Sequence, residues 1–234
     1  MSPIAVSMGD PAGIGLELAA RVWAAPEGAP DFFLVGDADA LIRAGRRLGL
    51  ADPKLRVVED PAQIAIEPGV LNVLNAALAM EETPGAPDPV NARATVQAIE
   101  RAVRAVAEGA ASAVVTLPIA KSVLYTAAFA LPGHTEFIAE LTQDMPWPHA
   151  RGPVMMLAGP TLKVALATIH IPLAEVPAAL SHERIANVGR VTGEALRRDF
   201  GLDNPRIALC GLNPHAGERG RIGREELEII NPAA

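Results

Sequence analysis

The chain has 234 residues, 50% of them hydrophobic and 20% charged, enough to bury a core in one large domain or two small ones. Its net charge of −7 argues against a nucleic-acid surface, which would need clustered Lys and Arg. The single cysteine, Cys210, excludes an intrachain disulfide framework, and no run approaches the roughly 18 apolar residues of a membrane span.

The start MSPIAVSMGD shows no basic n-region and no long apolar run, so a cytoplasmic protein without membrane or nucleic-acid partners is expected. PIAVSM reads as a strand. It leads through a loop holding Gly9, Gly13 and Gly15 into a helix from about Ile14 to Ala25. FFLVG is a second strand, followed by a helix that Asp37 can cap and Gly49 can end. The Pro- and Gly-rich run EETPGAPDPV separates these from a helix with Asn91 as its cap, apolar Val96, Ile99, Val103 and Val106, and a closing Gly109. SAVVT then reads as a strand covered on both faces. Repeated strand–helix alternation predicts an α/β protein with a mainly parallel sheet.

Past Gly133 the texture changes. PVMMLAG and LKVALATIH, split by a Gly-Pro-Thr turn, predict an antiparallel hairpin. A helix from about Glu183 to Phe200, the strand PRIALCGL and the polar loop NPHAGERGRIG follow. In that strand Cys210 would be a buried apolar filler. EELEIINPAA begins like an amphipathic helix with Leu227, Ile229 and Ile230 apolar, and stops before a partner element could cover it. Two lobes are expected, 1–130 and 131–234, the second incomplete at its C-terminal end.

The glycine spacing G-x-x-x-G-x-G matches neither a dinucleotide fingerprint nor a P-loop. The opening loop is either an anion site at a helix N-terminus or a structural turn in which Asp10 and Glu17 satisfy backbone donors. His149 and His182 sit in surface-like contexts. His170 and His215 each end an apolar run, where ligands of α/β folds gather. They could be two imidazole ligands of one metal, or could each cap a strand. His134 and Thr135, in PGHTEF, open a helix; with Thr135 as cap they could bind an anion, or simply cap. Lys121, after another strand end, could hold a phosphate or be merely solvated. Two metal ligands, an anion cap and a cation suit an enzyme acting on a small phosphorylated or acidic alcohol.

GDPAGIGLE, TLPIAK, GHTEF, VMMLAG with VALATIHIPL, and CGLNPHAGE together resemble the 4-hydroxythreonine-4-phosphate dehydrogenase family, in its order and at similar spacing. The resemblance implies two α/β/α lobes of the isocitrate/isopropylmalate dehydrogenase-like type with mixed, mainly parallel sheets, and a site in a cleft and at a homodimer interface. It implies oxidation of the phosphorylated hydroxy acid with NAD or NADP in pyridoxal phosphate biosynthesis, the keto acid then losing carbon dioxide. A divalent metal (Zn, Mg or Co) would be held by His170 and His215, and substrate would be contacted by His134 and Thr135. It assigns neither a general base nor cofactor-binding residues, and the family's third metal histidine belongs to a later segment. Leu117, Ala120, Arg219 and Arg221 depart from the family pattern and leave open a related phosphorylated sugar acid, 4-phosphothreonate or 4-phosphoerythronate. A non-catalytic binding protein and, by fold analogy alone, an acyl-phosphate transferase are the alternatives from other classes.

Overall fold

A computed structural model describes residues 2–126 and 133–234. They divide into two compact units, Met1–Gln143 and Asp144–Ala234. The lobe boundary expected near residue 130 lies outside the described residues. The helix after it, His134–Thr142, packs on a helix of the first unit, so the division falls later.

The first unit is a five-stranded, wholly parallel sheet. Its elements are β1 (Ile4–Ser7), α1 (Gly15–Ala24), β2 (Phe32–Gly36), α2 (Ala38–Arg47), β3 (Lys54–Val58), β4 (Val70–Asn75), α3 (Ala92–Ala107), β5 (Ala113–Thr116), α4 (Lys121–Thr126) and α5 (His134–Thr142). The strand order is β3-β4-β2-β1-β5. From β1 through β3 the chain moves one way across the sheet, and from β4 to β5 it returns. Right-handed crossovers then place α1 and α2 on one face and α3 on the other. Both faces are therefore covered over the central strands, which explains the uninterrupted apolar run Phe33-Leu34-Val35, fully buried in β2. The edge strand β5, expected to be covered on both faces, leaves Val115 exposed. Registers Ser7↔Val35, Ser7↔Thr116 and Gly36↔Asn75 bring the loops after β1, β2, β4 and β5 to one edge.

Local chemistry sets the boundaries. Asp37 caps α2, its Oδ1 accepting the Ala40 N–H at 2.8 Å, and Gly49 ends the helix at φ +71°. Gly109 closes α3 at φ +78°. Asn91 departs from expectation. Its side chain makes no cap, because its Oδ1 accepts the N–H groups of Ala79 and Met80 (3.0 and 3.1 Å) and its amide donates to the Met80 carbonyl. Strands β3 and β4 fall where the sequence pattern marks none. Lys54 and Arg56 interrupt the first, and Asn72, fully buried, interrupts the second. Asn72 is tolerated there because its amide donates to the Ala65 carbonyl at 2.9 Å.

The second unit holds the expected hairpin, β6 (Met156–Ala158) antiparallel to β7 (Lys163–Ala165), then α6 (Val176–Ala179), α7 (His182–Arg198) and α8 (Asn231–Ala233). Ser181 caps α7 by accepting the Arg184 N–H at 3.1 Å. The strand expected at PRIALCGL does not form. Residues 205–212 lack a ladder partner among the described residues, Ile207 and Leu209 stay exposed, and Cys210 is exposed rather than buried. EELEIINPAA is helical, as expected, but begins as a π-helix, Glu226–Ile230, that runs into α8, buries Glu226 and exposes Leu227. Among the described residues no helix is long and apolar enough to cross a membrane.

Candidate functional site

The glycine-rich opening lies at the shared strand edge of the first unit, and its donors turn inward. The Ala12 N–H donates to Asp10 Oδ1 at 2.8 Å, and the Gly13 N–H to the Asp10 carbonyl at 3.0 Å. A Cβ on Gly9, whose φ is +70°, would stand 2.4 Å from the Pro118 carbonyl oxygen; one on Gly15 would stand 2.5 Å from that of Met8. These glycines therefore let the opening pack against residues 117–118 instead of cradling a phosphate. Glu17 satisfies no backbone donor among the described residues and instead faces Arg47 at 3.8 Å. Burial raises the Asp10 carboxyl above its ordinary range, although the backbone N–H groups oppose this. Leu117 is nearly buried against Gly15 in the main core, so this departure from the family pattern is a packing feature.

His134 and Thr135 form the first two residues of α5. Gly133 occupies the cap position, so Thr135 is inside the first turn and does not cap, contrary to expectation. The opening N–H groups of α5 have no partners within the helix, and its positive dipole end favours an anion. A Cβ on Gly133 would lie 3.5 Å from Lys121 Nζ and 3.4 Å from Glu136 Oε2, so the bare glycine brings a cation and a carboxylate close to this turn. His134 Nε2 is buried and has no hydrogen-bond partner among the described residues. Burial first, and then the Lys121 charge, hold its imidazole below the usual range. A neutral ring with an unused nitrogen, beside an ammonium and an N-terminal turn, can receive a polar or anionic group.

The two other candidate histidines lie in the second unit, and neither ends a strand. β7 stops at Ala165, and His170 stands in the turn beyond it, exposed, at φ +57°. His215 precedes a left-handed turn in which Ala216, Gly217, Glu218 and Arg219 all have positive φ. Its N–H donates to Asn213 Oδ1 at 2.8 Å, and its Nδ1 lies 3.5 Å from Glu218 Oε1, with the imidazole 69% exposed. A groove of about 750 Å³ in this unit is lined by Gly193, Leu209, Gly211, Ala216 and Glu226. Sequence reasoning missed Glu226. Its signal was an acidic residue inside an apolar-rich run, ordinarily read as helix surface.

As imidazoles, His170 and His215 fit a divalent transition metal by donor type. By number they fall short, since no three His, Cys, Asp or Glu side chains gather among the described residues. They would hold such an ion only together with donors from elsewhere. The opening glycines, filled by the chain's own backbone, do not fit a dinucleotide.

The family model described as pyridoxal phosphate biosynthetic protein PdxA matches residues 29–234. A 4-hydroxythreonine-4-phosphate dehydrogenase of Caulobacter vibrioides is 47% identical over 233 residues, 99% of this chain and 68% of that protein. One from Maricaulis maris is 46% identical, over 100% and 70%. Among solved structures, the 4-hydroxythreonine-4-phosphate dehydrogenase of Klebsiella pneumoniae superposes with a TM-score of 0.84 at 38% identity, covering all of this chain and 70% of that one. A terephthalate 1,2-cis-dihydrodiol dehydrogenase of Burkholderia xenovorans has a TM-score of 0.67 at 28% identity, covering 100% and 69%. These neighbours place the chain in the α/β isocitrate/isopropylmalate dehydrogenase-like fold.

Proposed function

Since the chain belongs to the PdxA family of 4-hydroxythreonine-4-phosphate dehydrogenases, we propose that it oxidises 4-hydroxythreonine 4-phosphate with NAD or NADP, dependent on a divalent metal. The observation that carries this reading is identity of 47% sustained over 99% of the chain, a span that takes in GHTEF, TIHIPL and NPHAGE. The two-lobe division, a homodimer and a cytoplasmic location belong to the same proposal.

In this reading the alcohol carbon is oxidised to a ketone, with the nicotinamide as hydride acceptor, and the resulting keto acid loses carbon dioxide. His134 and Thr135 hold the substrate. The opening amides of α5 and the nearby Lys121 ammonium favour its phosphate, while Glu136 in the same turn disfavours excess negative charge. The neutral His134 ring can donate to or accept from a substrate oxygen without adding charge. His170 and His215 would hold zinc, magnesium or cobalt, an ion that supplies Lewis acidity for the alcohol oxygen.

The test is reduction of NAD or NADP on adding 4-hydroxythreonine 4-phosphate, with each metal in turn and after chelation. Reduction that needs metal supports the proposal. No reduction with any metal overturns it, and turnover of 4-phosphothreonate or 4-phosphoerythronate alone would move the activity to those acids.

A further inference from the structure

We propose that Glu226 is a positioning residue that fixes the left-handed turn next to His215. This rests on the reading of His215 as a metal ligand. Five successive residues with positive φ, Ala216 to Gly220, three of them not glycine, make a conformation that L-residues adopt only when their surroundings impose it. Much of that imposition comes from one side chain. Glu226 is only 4% exposed, and its Oε1 accepts the Asn213 N–H at 2.9 Å. Asn213 in turn binds the next residues: its Oδ1 accepts the His215 N–H at 2.8 Å, and its carbonyl accepts the Ala216 N–H at 2.8 Å. Glu226 is thus two hydrogen bonds from the His215 backbone.

The other carboxylate oxygen acts by occupying space. A Cβ on Gly217 would meet Glu226 Oε2 at 3.0 Å and the Gly223 carbonyl oxygen at 2.6 Å. A Cβ on Gly211 would meet Glu226 Oε1 at 3.2 Å. The carboxylate therefore sits between two glycines whose bare Cα atoms admit it. Its Oε2 has no hydrogen-bond partner among the described residues, a cost that a merely space-filling residue such as leucine would avoid. The Asn213 N–H, against the opposing effect of burial and helped by the N–H groups of Glu226 and Leu212, holds the carboxyl below the usual glutamate range. A buried acceptor that clamps a loop carrying an imidazole is the kind of outer support that orients metal-binding histidines.

The test compares Glu226→Ala, Glu226→Gln and Glu226→Asp with His215→Ala and the unmodified protein. Cobalt binding is read by the visible absorption of the bound ion and by calorimetric titration, and folding by circular dichroism. Glu226→Ala should weaken cobalt binding roughly 10-fold or more in protein that is still folded. Glu226→Gln, which keeps the size and an acceptor oxygen, should stay within about 3-fold by the same logic. Glu226→Asp, one methylene too short to reach Asn213, should fall between them, and it decides the matter against Gln if the alanine variant does not fold. Cobalt affinity and spectrum unchanged in Glu226→Ala or Glu226→Asp, with binding lost in His215→Ala, would overturn the proposal alone. Cobalt retained by His215→Ala would overturn the reading of His215, and the proposal with it.

Discussion

At the scale of single residues, His134 is the group whose protonation most directly touches the proposed chemistry. Burial and the neighbouring Lys121 ammonium both disfavour imidazolium, so its pKa lies below the usual value near 6.5. The sign follows. The folded protein binds fewer protons here than the unfolded chain, so this site's contribution to stability is complete above about 6.5 and declines as pH falls toward the depressed value. Replacing Lys121 with Gln removes the charge but leaves the burial. The His134 pKa should then rise only part of the way back, as read by an NMR titration of its ring protons. An unchanged titration would show that Lys121 does not act on the ring. The substrate affinity of Lys121→Gln should fall too, through the lost attraction for phosphate, and its low-pH limit should shift upward with the pKa.

The same balance of burial against charge governs an element, the segment from Ala76 to Asn91 between β4 and α3. Its Glu82 side chain is wholly inaccessible, and it accepts hydrogen bonds from Arg43 and, at 3.1 Å, Arg47, both on α2. Asn91 folds the start of this segment back on itself, and the Gly85 N–H donates to the Ala12 carbonyl at 2.8 Å. The segment thus fastens α2 to the glycine-rich opening. Burial pushes the Glu82 carboxyl up, but the two guanidinium groups outweigh it and hold the pKa below the usual glutamate range. This stabilisation is complete above about pH 4.5 and is lost as pH falls through the lowered value. Glu82→Gln should destabilise the first unit by about 2 kcal/mol, the worth of charge-assisted bonds to arginines that remain partly hydrated. A denaturant titration at pH 7 checks the magnitude. At a pH below the Glu82 pKa the variant and the parent should converge, and a constant difference would show that ionisation is not what matters.

What the sequence revealed at this scale divides along physical lines. The helix α2 was legible because its capping Asp37, its closing Gly49 and its apolar stripe agree, and α7 as a long helical pattern. β2 and β5 were legible as apolar runs. β3 and β4 were not, because Lys54 and Arg56 interrupt the first, and in the second Asn72 hides its polarity in a bond to Ala65 that no apolar pattern shows. PRIALCGL failed in the opposite sense: its pattern is right for a strand, yet a strand exists only where a neighbour supplies hydrogen bonds. In the candidate site, motif resemblance singled out His134, Thr135, His170 and His215, while Glu226 and the approach of Lys121 to Gly133 depend on folding.

For the molecule as a whole, the metal proposal makes a demand on stability that is separate from catalysis. An ion that binds the folded protein and not the unfolded chain raises stability by RT ln(1 + [L]/Kd), about 2.7 kcal/mol at 100 times Kd. Both imidazoles are exposed, and neither belongs to a buried cluster. Removing them should therefore leave the metal-free fold almost intact, within about 0.5 kcal/mol for His215→Ala. His170→Ala should cost slightly more, about 1 kcal/mol, because alanine tolerates φ near +57° less well than histidine. Thermal unfolding with and without zinc or cobalt separates the two effects. The parent should melt higher with metal, and each variant should melt near the metal-free parent whether metal is present or absent. A metal-induced rise that survives in His170→Ala would remove His170 from the ligand set. If it survives in both variants, the ion is held elsewhere, and metal-dependent oxidation could no longer be built on these two side chains.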